Sequence, residues 1–263
     1  MIEIQVQDSL VTISLNRPEK RNALNNELLL HLKEAIQHAS QNANIRLLVI
    51  KGNGDVFCAG ADLDFIRQLV DENVALEFAE LLSSVLEEIR LFPVPVVVQV
   101  HGACMGGANG IIAASDIILA DIGTRFAFSE VKLGLVPAII SPYVLTKLPL
   151  SRAFDLFLTG RLFDATEAKH AGLINYTGTP GELDFVFKQI VSQILSSAPL
   201  AIKHTRKNIW DHVMQTRWDS YLIQSRQLFV KMASSPEAIE GINAFFDKRT
   251  PNWTRSNNGK SGS

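Results

Sequence analysis

Two glycine turns and one glutamate are the places in this 263-residue chain where chemistry is most readily built. The stretches FCAGADL (57–63) and MGGANG (105–110) each follow an apolar, strand-like run and open a helical segment. The first N–H groups of a helix have no internal partner, and the helix dipole there favours negative charge. Two such turns brought together would set two backbone donors on one oxygen. That is an oxyanion hole, in which losing one donor typically costs roughly a hundred- to a thousandfold in rate. Glycine also permits tight turns and close helix–strand packing, so each turn read alone has a purely structural explanation. Neither has the GxGxxG or GxxxxGK[ST] spacing of nucleotide-binding loops. The only polar side chain within the second turn is Asn109, and backbone N–H groups do not shuttle protons.

A proton carrier is offered by FAFSEVKLGLVP (126–137), which places Glu130 just after the alternating residues Phe126 and Phe128. A carboxyl group in apolar company has its pKa pushed upward, which suits acid/base work near neutrality. The competing reading is a solvated glutamate at a strand end. His101 ends a strand and reads as structural. There is no GxSxG nucleophile elbow. Cys58 and Cys104 read as small buried hydrophobes. With no CxxC spacing and no His/Cys cluster, no metal is expected.

The elements that must position these groups follow from periodicity. IEIQVQ and VTISLN alternate as half-buried strands joined by a DS turn. NNELLLHLKEAIQHA has helical spacing, with Leu28, Leu32, Ala35 and Ile36 on one face. IRLLVIKG and VPVVVQVHG are short, continuously apolar strands, separated by a long helical stretch that ends near LEEIRLF. DIILAD and TRFAFSE are two further strands. The unit of strand, glycine turn and helix recurs, which indicates an α/β core. From about residue 139 onward the pattern is almost entirely helical. The stripes Leu183, Val186, Phe187, Ile190, Ile194 and Ile239, Ile242, Phe246 are expected to pack mainly on the chain's own core. The SNNGKSGS tail is polar and low in complexity, and is expected to be disordered.

Composition narrows the function classes. The chain is 47% hydrophobic and 20% charged, and 25 basic against 27 acidic residues give a net charge of -2. Such a balance offers no general field for a polyanion, so nucleic acid is not an expected partner. No apolar run approaches the roughly 20 residues that span a bilayer, and no membrane association is expected. The first fifteen residues carry no apolar core of signal-peptide length. Together with the cysteine usage this leads to the expectation of a cytoplasmic protein.

Five stretches in order, NRPEKRNAL, FCAGADL, HGACMGGANG…ASDIILA, FAFSEVKLGLVP and SPEAIEGINAFFDKRTPNW, resemble the enoyl-CoA hydratase/isomerase (crotonase) superfamily. The resemblance implies an α/β fold of the crotonase type, a spiral of ββα units over residues 1–195. A helical region over 196–253 would serve oligomerisation and cover the active site, and a disordered tail would follow over 254–263. It implies an acyl-CoA thioester whose carbonyl oxygen sits between the N–H groups of Ala61 and Gly107. Coenzyme A, as part of the substrate and the sole cofactor-like group, would lie along Arg21, Ala23 and Leu24 and along Ala59 and Asp62. Lys20 or Arg21 would stand near its ADP portion. The resemblance further implies a homotrimer or homohexamer, and a structural role for Asp116.

One position departs from the family pattern. Typical hydratases of the family use two glutamates; the second matches Glu130, but the first falls on Gly110. Three readings stay open. Glu130 serves both proton transfers of a hydratase, or it shuttles one proton as a double-bond isomerase, or the chain is a weakly catalytic acyl-CoA- or RNA-binding member. LGLVPAIISPYVL resembles the ISPY form of methylglutaconyl-CoA hydratase-like proteins, which also lack an acid where Gly110 stands. This favours hydration of a short, branched or carboxylated enoyl-CoA, with Gly110 beside the acyl group and with Ser141 and Tyr143 supplying polarity to its pocket.

Overall fold

The computed structural model describes residues 1–213 and 218–254. The chain begins with β1 (Ile2–Gln7) and β2 (Leu10–Leu15), an antiparallel hairpin turned at Asp8, and continues into α1 (Asn26–Ser40). Asn25 starts α1 by accepting a hydrogen bond from the Leu28 N–H, and Leu28, Leu32, Ala35 and Ile36 are buried along its inner face. Next come β3 (Leu47–Gly52), the short α2 (Leu63–Ile66) and the long α3 (Glu72–Leu91). The middle of the chain holds β4 (Val96–Val100), β5 (Ala103–Met105), α4 (Ala108–Ala113), β6 (Ile117–Asp121) and β7 (Arg125–Ala127). It continues through α5 (Ser141–Val144), α6 (Leu150–Thr159), β8 (Phe163–Asp164), α7 (Ala165–His170) and β9 (Tyr176–Gly178). Four helices complete the description: α8 (Pro180–Ser196), α9 (Pro199–Val213), α10 (Trp218–Ala233) and α11 (Pro236–Phe246).

Six strands form one sheet in the order β1-β2-β3-β4-β6-β9, parallel from β2 onward. A second, three-stranded sheet has the order β5-β7-β8. Each of β4 and β6 feeds the large sheet and passes directly to a strand of the small one, and β4–β5 then leads into α4. The chain after β3 follows the same course, because Cys58 pairs with Cys104 beside β5 before α2 and α3 begin. This is the ββα unit that the family resemblance implies, laid over the strand, glycine turn and helix that recur in the sequence.

The continuously apolar strands are buried on both faces, as parallel strands usually are. Leu48, Ile50, Val96 and Val98 join the main core with α1 and α3. Leu47, Val49, Val97 and Leu119 face a separate layer closed by Leu183, Val186, Phe187, Ile190 and Ile194 of α8. The α8 stripe therefore packs on the chain's own sheet. In α11 the expectation holds for Ile242, which is buried, and not for Ile239, which is 42% exposed.

The segment after residue 139 is almost entirely helical, as expected; among the described residues its two strands are β8 and β9, and β9 is an edge strand of the large sheet. Both are too short, at two and three residues, to show a period in the sequence. One expectation needs correction: the strand in TRFAFSE stops at Ala127, so that Glu130 lies in a 3-10 turn over Ser129–Leu133. The SNNGKSGS tail lies outside the described residues.

Candidate active site

The two glycine turns are stitched side by side by backbone hydrogen bonds. The Cys58 N–H donates to Ala103 O (3.0 Å), and the Met105 N–H donates to Cys58 O (3.2 Å). Gly60, at φ +94°, has its open side only 3.2 Å from Met105 O, so a side chain there would meet the neighbouring turn. On its other side the first turn pairs with residues 21–24. The Leu24 N–H donates to Gly60 O (2.7 Å) and the Asp62 N–H to Leu24 O (2.8 Å). Successive N–H groups in such a ladder point to opposite sides, which turns the Ala61 N–H away from Leu24. Among the described residues neither Ala61 N nor Gly107 N has a hydrogen-bond acceptor. Their helices, α2 and α4, span only four and six residues. The site therefore offers individual aimed N–H groups rather than the dipole of a long helix.

Ala61 and Gly107 line an apolar cavity of about 250 Å3. Leu24, Ala59, Leu82, Ile139 and Ile140 also form its wall, while Phe229 of α10 and Phe245 of α11 close it from the C-terminal helices. Glu130 is the only carboxylate among the described residues lining it. Its carboxyl group lies against the turn: a side chain begun at Gly106 would sit 3.5 Å from Oε1. Oε2 is buried and has no hydrogen-bond partner. Burial pushes the Glu130 carboxyl from its ordinary 4.5 up to about 7, since removing water disfavours the charged form. The segment before it is fixed by ring packing of Phe126 and Phe128 on Phe163. The turn after it ends at Gly134, φ +73°, where a Cβ would strike the Glu237 backbone at 2.6 Å.

A second, more polar groove adjoins this cavity and shares Ala59, Ala61 and Leu63 with it. Lys20, Arg21, Ala23, Asp62 and Asp64 line the groove. An amphiphilic ligand with a charged end and an acyl end thus has a continuous course past the two free N–H groups. Arg21 is exposed. Lys20 is held by Asp64 at 2.9 Å. Asp62 is occupied internally, accepting from the Asp64 N–H (2.9 Å) and from Arg17 Nη1 (2.6 Å). Its carboxylate fixes the turn, and its part in a ligand contact would be through backbone.

Three expected site residues stand elsewhere. Gly110 does not line the cavity; its open side faces Ile140 Cγ2 at 2.5 Å and Leu86 Cδ1 at 3.0 Å. The space of a second acid is thus filled by Ile140. Ser141 turns its hydroxyl back to Pro137 O (2.6 Å), and the Tyr143 hydroxyl donates to Glu87 Oε2 (3.1 Å). Neither lines the cavity, because α5 begins with Pro142 near its start and buries Tyr143 in the core; Val136, Pro137, Ile139 and Ile140 face the ligand space instead. Sequence reasoning missed Arg17, and also Asn22, which is fully buried and ties residues 17, 53 and 56 together. Left-handed backbone at Arg21 and Asn22, both φ +53°, has no signature in residue type beyond the asparagine.

His101 binds Gly54 O at 2.8 Å, as a structural histidine does. Asp116 is likewise structural, accepting from Val96 N (2.7 Å), Arg206 Nε (2.6 Å) and Trp210 Nε1 (3.1 Å).

The chain is similar to known proteins over almost its whole length. The model of the enoyl-CoA hydratase/isomerase family matches residues 5–256. The chain is 32% identical over 254 residues to the crotonyl-CoA hydratase of Syntrophomonas wolfei, covering 96% of this chain and 97% of that protein. It is 28% identical to a trans-2-decenoyl-[acyl-carrier-protein] isomerase of Streptococcus mutans, covering 95% and 96%. Its fold superimposes on the crystal structure of an enoyl-CoA hydratase from Mycobacterium avium with a TM-score of 0.87 at 30% identity, over 96% of this chain and 98% of that one. The chain, with its crotonase-type fold, belongs to the enoyl-CoA hydratase/isomerase family.

Proposed function

We propose that this protein adds water reversibly across the 2,3 double bond of a short or branched enoyl-CoA, with Glu130 as its single acid/base. The observation that carries the reading is the Glu130 carboxyl: buried, unpaired at Oε2, poised near neutrality, and on the same cavity as two N–H groups without acceptors. Ionised Glu130 takes a proton from water as its oxygen bonds to C3. The electron pair of the double bond moves toward the thioester, and the oxygen gains charge between Ala61 N–H and Gly107 N–H. Protonated Glu130 then delivers its proton to C2. The net change is one water added, and a group near pKa 7 populates both of the forms this cycle needs.

The apolar walls favour a hydrocarbon acyl group. Lys132 is the only basic residue among the described residues lining the cavity, and it would be the partner for a terminal carboxylate such as that of methylglutaconyl-CoA. The coenzyme would occupy the polar groove, and a trimer or hexamer of this chain would be its working form. Isomerisation is the second reading, favoured by the absence of a second carboxylate lining the cavity. Turnover of an enoyl-CoA panel in heavy-oxygen water separates the two. Hydration puts the label in a 3-hydroxyacyl product, whereas an unlabelled product with a migrated double bond assigns the isomerase. Absence of turnover on every thioester would overturn both.

A further inference from the structure

The polar side chain of the second turn, Asn109, is fully buried and does not line the cavity. Its side-chain amide donates to Ala127 O (2.9 Å), Gly106 O (3.1 Å) and Cys104 O (3.3 Å). Its backbone N–H also donates to Gly106 O (2.9 Å). Three carbonyls converging on one amide fix its orientation, since only the NH2 end can donate to them. The consequence is that Oδ1 is buried without a partner. An orphaned buried acceptor is destabilising, so packing alone does not account for an amide at this place.

The geometry of one peptide does. Gly106 C=O and Gly107 N–H belong to the same planar trans unit and point in opposite directions. Two donors from Asn109, one side-chain and one backbone, hold the carbonyl end. They thereby set the direction of the N–H end, which is the free donor on the cavity wall. Hydrogen bonds to the carbonyl also polarise the amide and strengthen its N–H as a donor. Ala127 O, the third acceptor, closes β7 three residues before Glu130, and it accepts the Gly106 N–H as well (2.9 Å).

We infer that Asn109 is a positioning residue of the oxyanion hole. It aims and polarises the Gly107 N–H through the Gly106 carbonyl, and through Ala127 it locks that peptide to the strand leading to Glu130. The inference rests on the thioester reading of the cavity given above.

Asn109→Ala tests it, with a space that admits water to the freed carbonyls. With crotonyl-CoA, kcat should fall on the order of ten- to hundredfold, less than the loss on deleting an oxyanion donor outright, while KM stays within about threefold. The infrared stretch of a 13C-labelled thioester carbonyl in bound butyryl-CoA reports the hole directly. Its downshift on binding to the wild type should shrink in Asn109→Ala and persist in Glu130→Gln. A variant with wild-type kcat and an undiminished downshift overturns the inference. A wild type that shows no downshift overturns the thioester reading and the inference with it. Should Asn109→Ala fail to fold, the wild type labelled with 15N-asparagine decides: the Asn109 side-chain resonance should move with butyryl-CoA and not with coenzyme A alone. A resonance indifferent to butyryl-CoA overturns the role.

Discussion

Glu130 and Asp116 are two carboxylates of one core with opposite surroundings. Asp116 has a partner for each oxygen: Arg206 and the Val96 N–H on one, the Trp210 indole on the other. Arg206 in turn donates to the carbonyls of Ile89, Arg90 and Phe92 at the end of α3, pinning α9 there. Glu130 has an oxygen with no partner and faces an apolar cavity. A fully bonded carboxylate holds helices together. One left without a partner in an apolar cavity gives up stability and is available for proton transfer. The difference between structure and chemistry here lies in the partners, since both acids flank short strands, Asp116 just before β6 and Glu130 just after β7.

The largest effect that breaks this contrast is Glu130→Gln. Removing a general acid/base typically costs a hundred- to ten-thousandfold, and with one group serving both transfers the upper end is expected in kcat. Butyryl-CoA binding should be little changed. The same substitution should be stabilising, with a defined pH dependence. The native pKa, about 7, lies above the ordinary 4.5, so the native state binds more protons in that interval and stability falls as pH rises through it. Against the wild type, Glu130→Gln should gain nothing below about pH 4.5 and up to roughly 3 kcal/mol above pH 7, read from denaturant midpoints. Wild-type kcat/KM should fall with decreasing pH below about 7, as the base form is lost.

Asp116→Ala should do the reverse. It leaves Arg206, whose side chain is 8% exposed, as an uncompensated buried cation, which costs about 3–5 kcal/mol. The measurement is urea unfolding of both proteins, alongside turnover per folded molecule at low temperature. Loss of stability with near-normal turnover sustains the contrast. A loss of turnover as large as that of Glu130→Gln would erase it.

Gly110→Ala is a smaller perturbation on the face where a second acid is usual. Its Cβ would stand 2.5 Å from Ile140 Cγ2, and overpacking of this kind costs typically about 1–3 kcal/mol. Gly110→Glu should therefore fail to add a catalytic acid unless Ile140 is also cut back. The double variant with Ile140→Ala should recover the stability lost by Gly110→Glu alone, as measured by thermal unfolding.

How much of this was legible in the sequence depends on what each feature's signal is. The hairpin, the parallel strands and α1, α3, α8, α9 and α11 announce themselves by period or by Pro and Asn at their starts. Glu130 and the paired turns were legible because strand, glycine and acid stand in order. The failures share a cause, which is that a side chain's direction is set by packing and not by residue type. Gly110 was expected beside the acyl group, yet Ile140 from thirty residues on fills its open side. Asn109 is the turn's one polar side chain, and its hydrogen bonds direct it into the backbone and not into the cavity. Strands of two or three residues, such as β8 and β9, are too short for any period to reveal.

Tyr143→Phe is the smallest of the expected effects and sharpens the contrast at its edge. The ISPY segment resembles a substrate-selecting stretch, but the Tyr143 ring is fully buried and its hydroxyl donates to Glu87 rather than facing the cavity. Glu87 also pairs with Arg90, on the last turn of α3 that Arg206 caps. The tyrosine thus belongs with Asp116 to the network holding helices in place, and not with Glu130. Removing one hydrogen bond to a charged group costs about 1.5–3 kcal/mol when its partner is left dry. Glu87 keeps Arg90 and is partly solvent-accessible, so about 1 kcal/mol or less is expected. The ranking of acyl-CoA substrates by kcat/KM should stay the same across straight, branched and carboxylated thioesters. A reordered ranking at unchanged stability would move Tyr143 from the structural group to the chemical one.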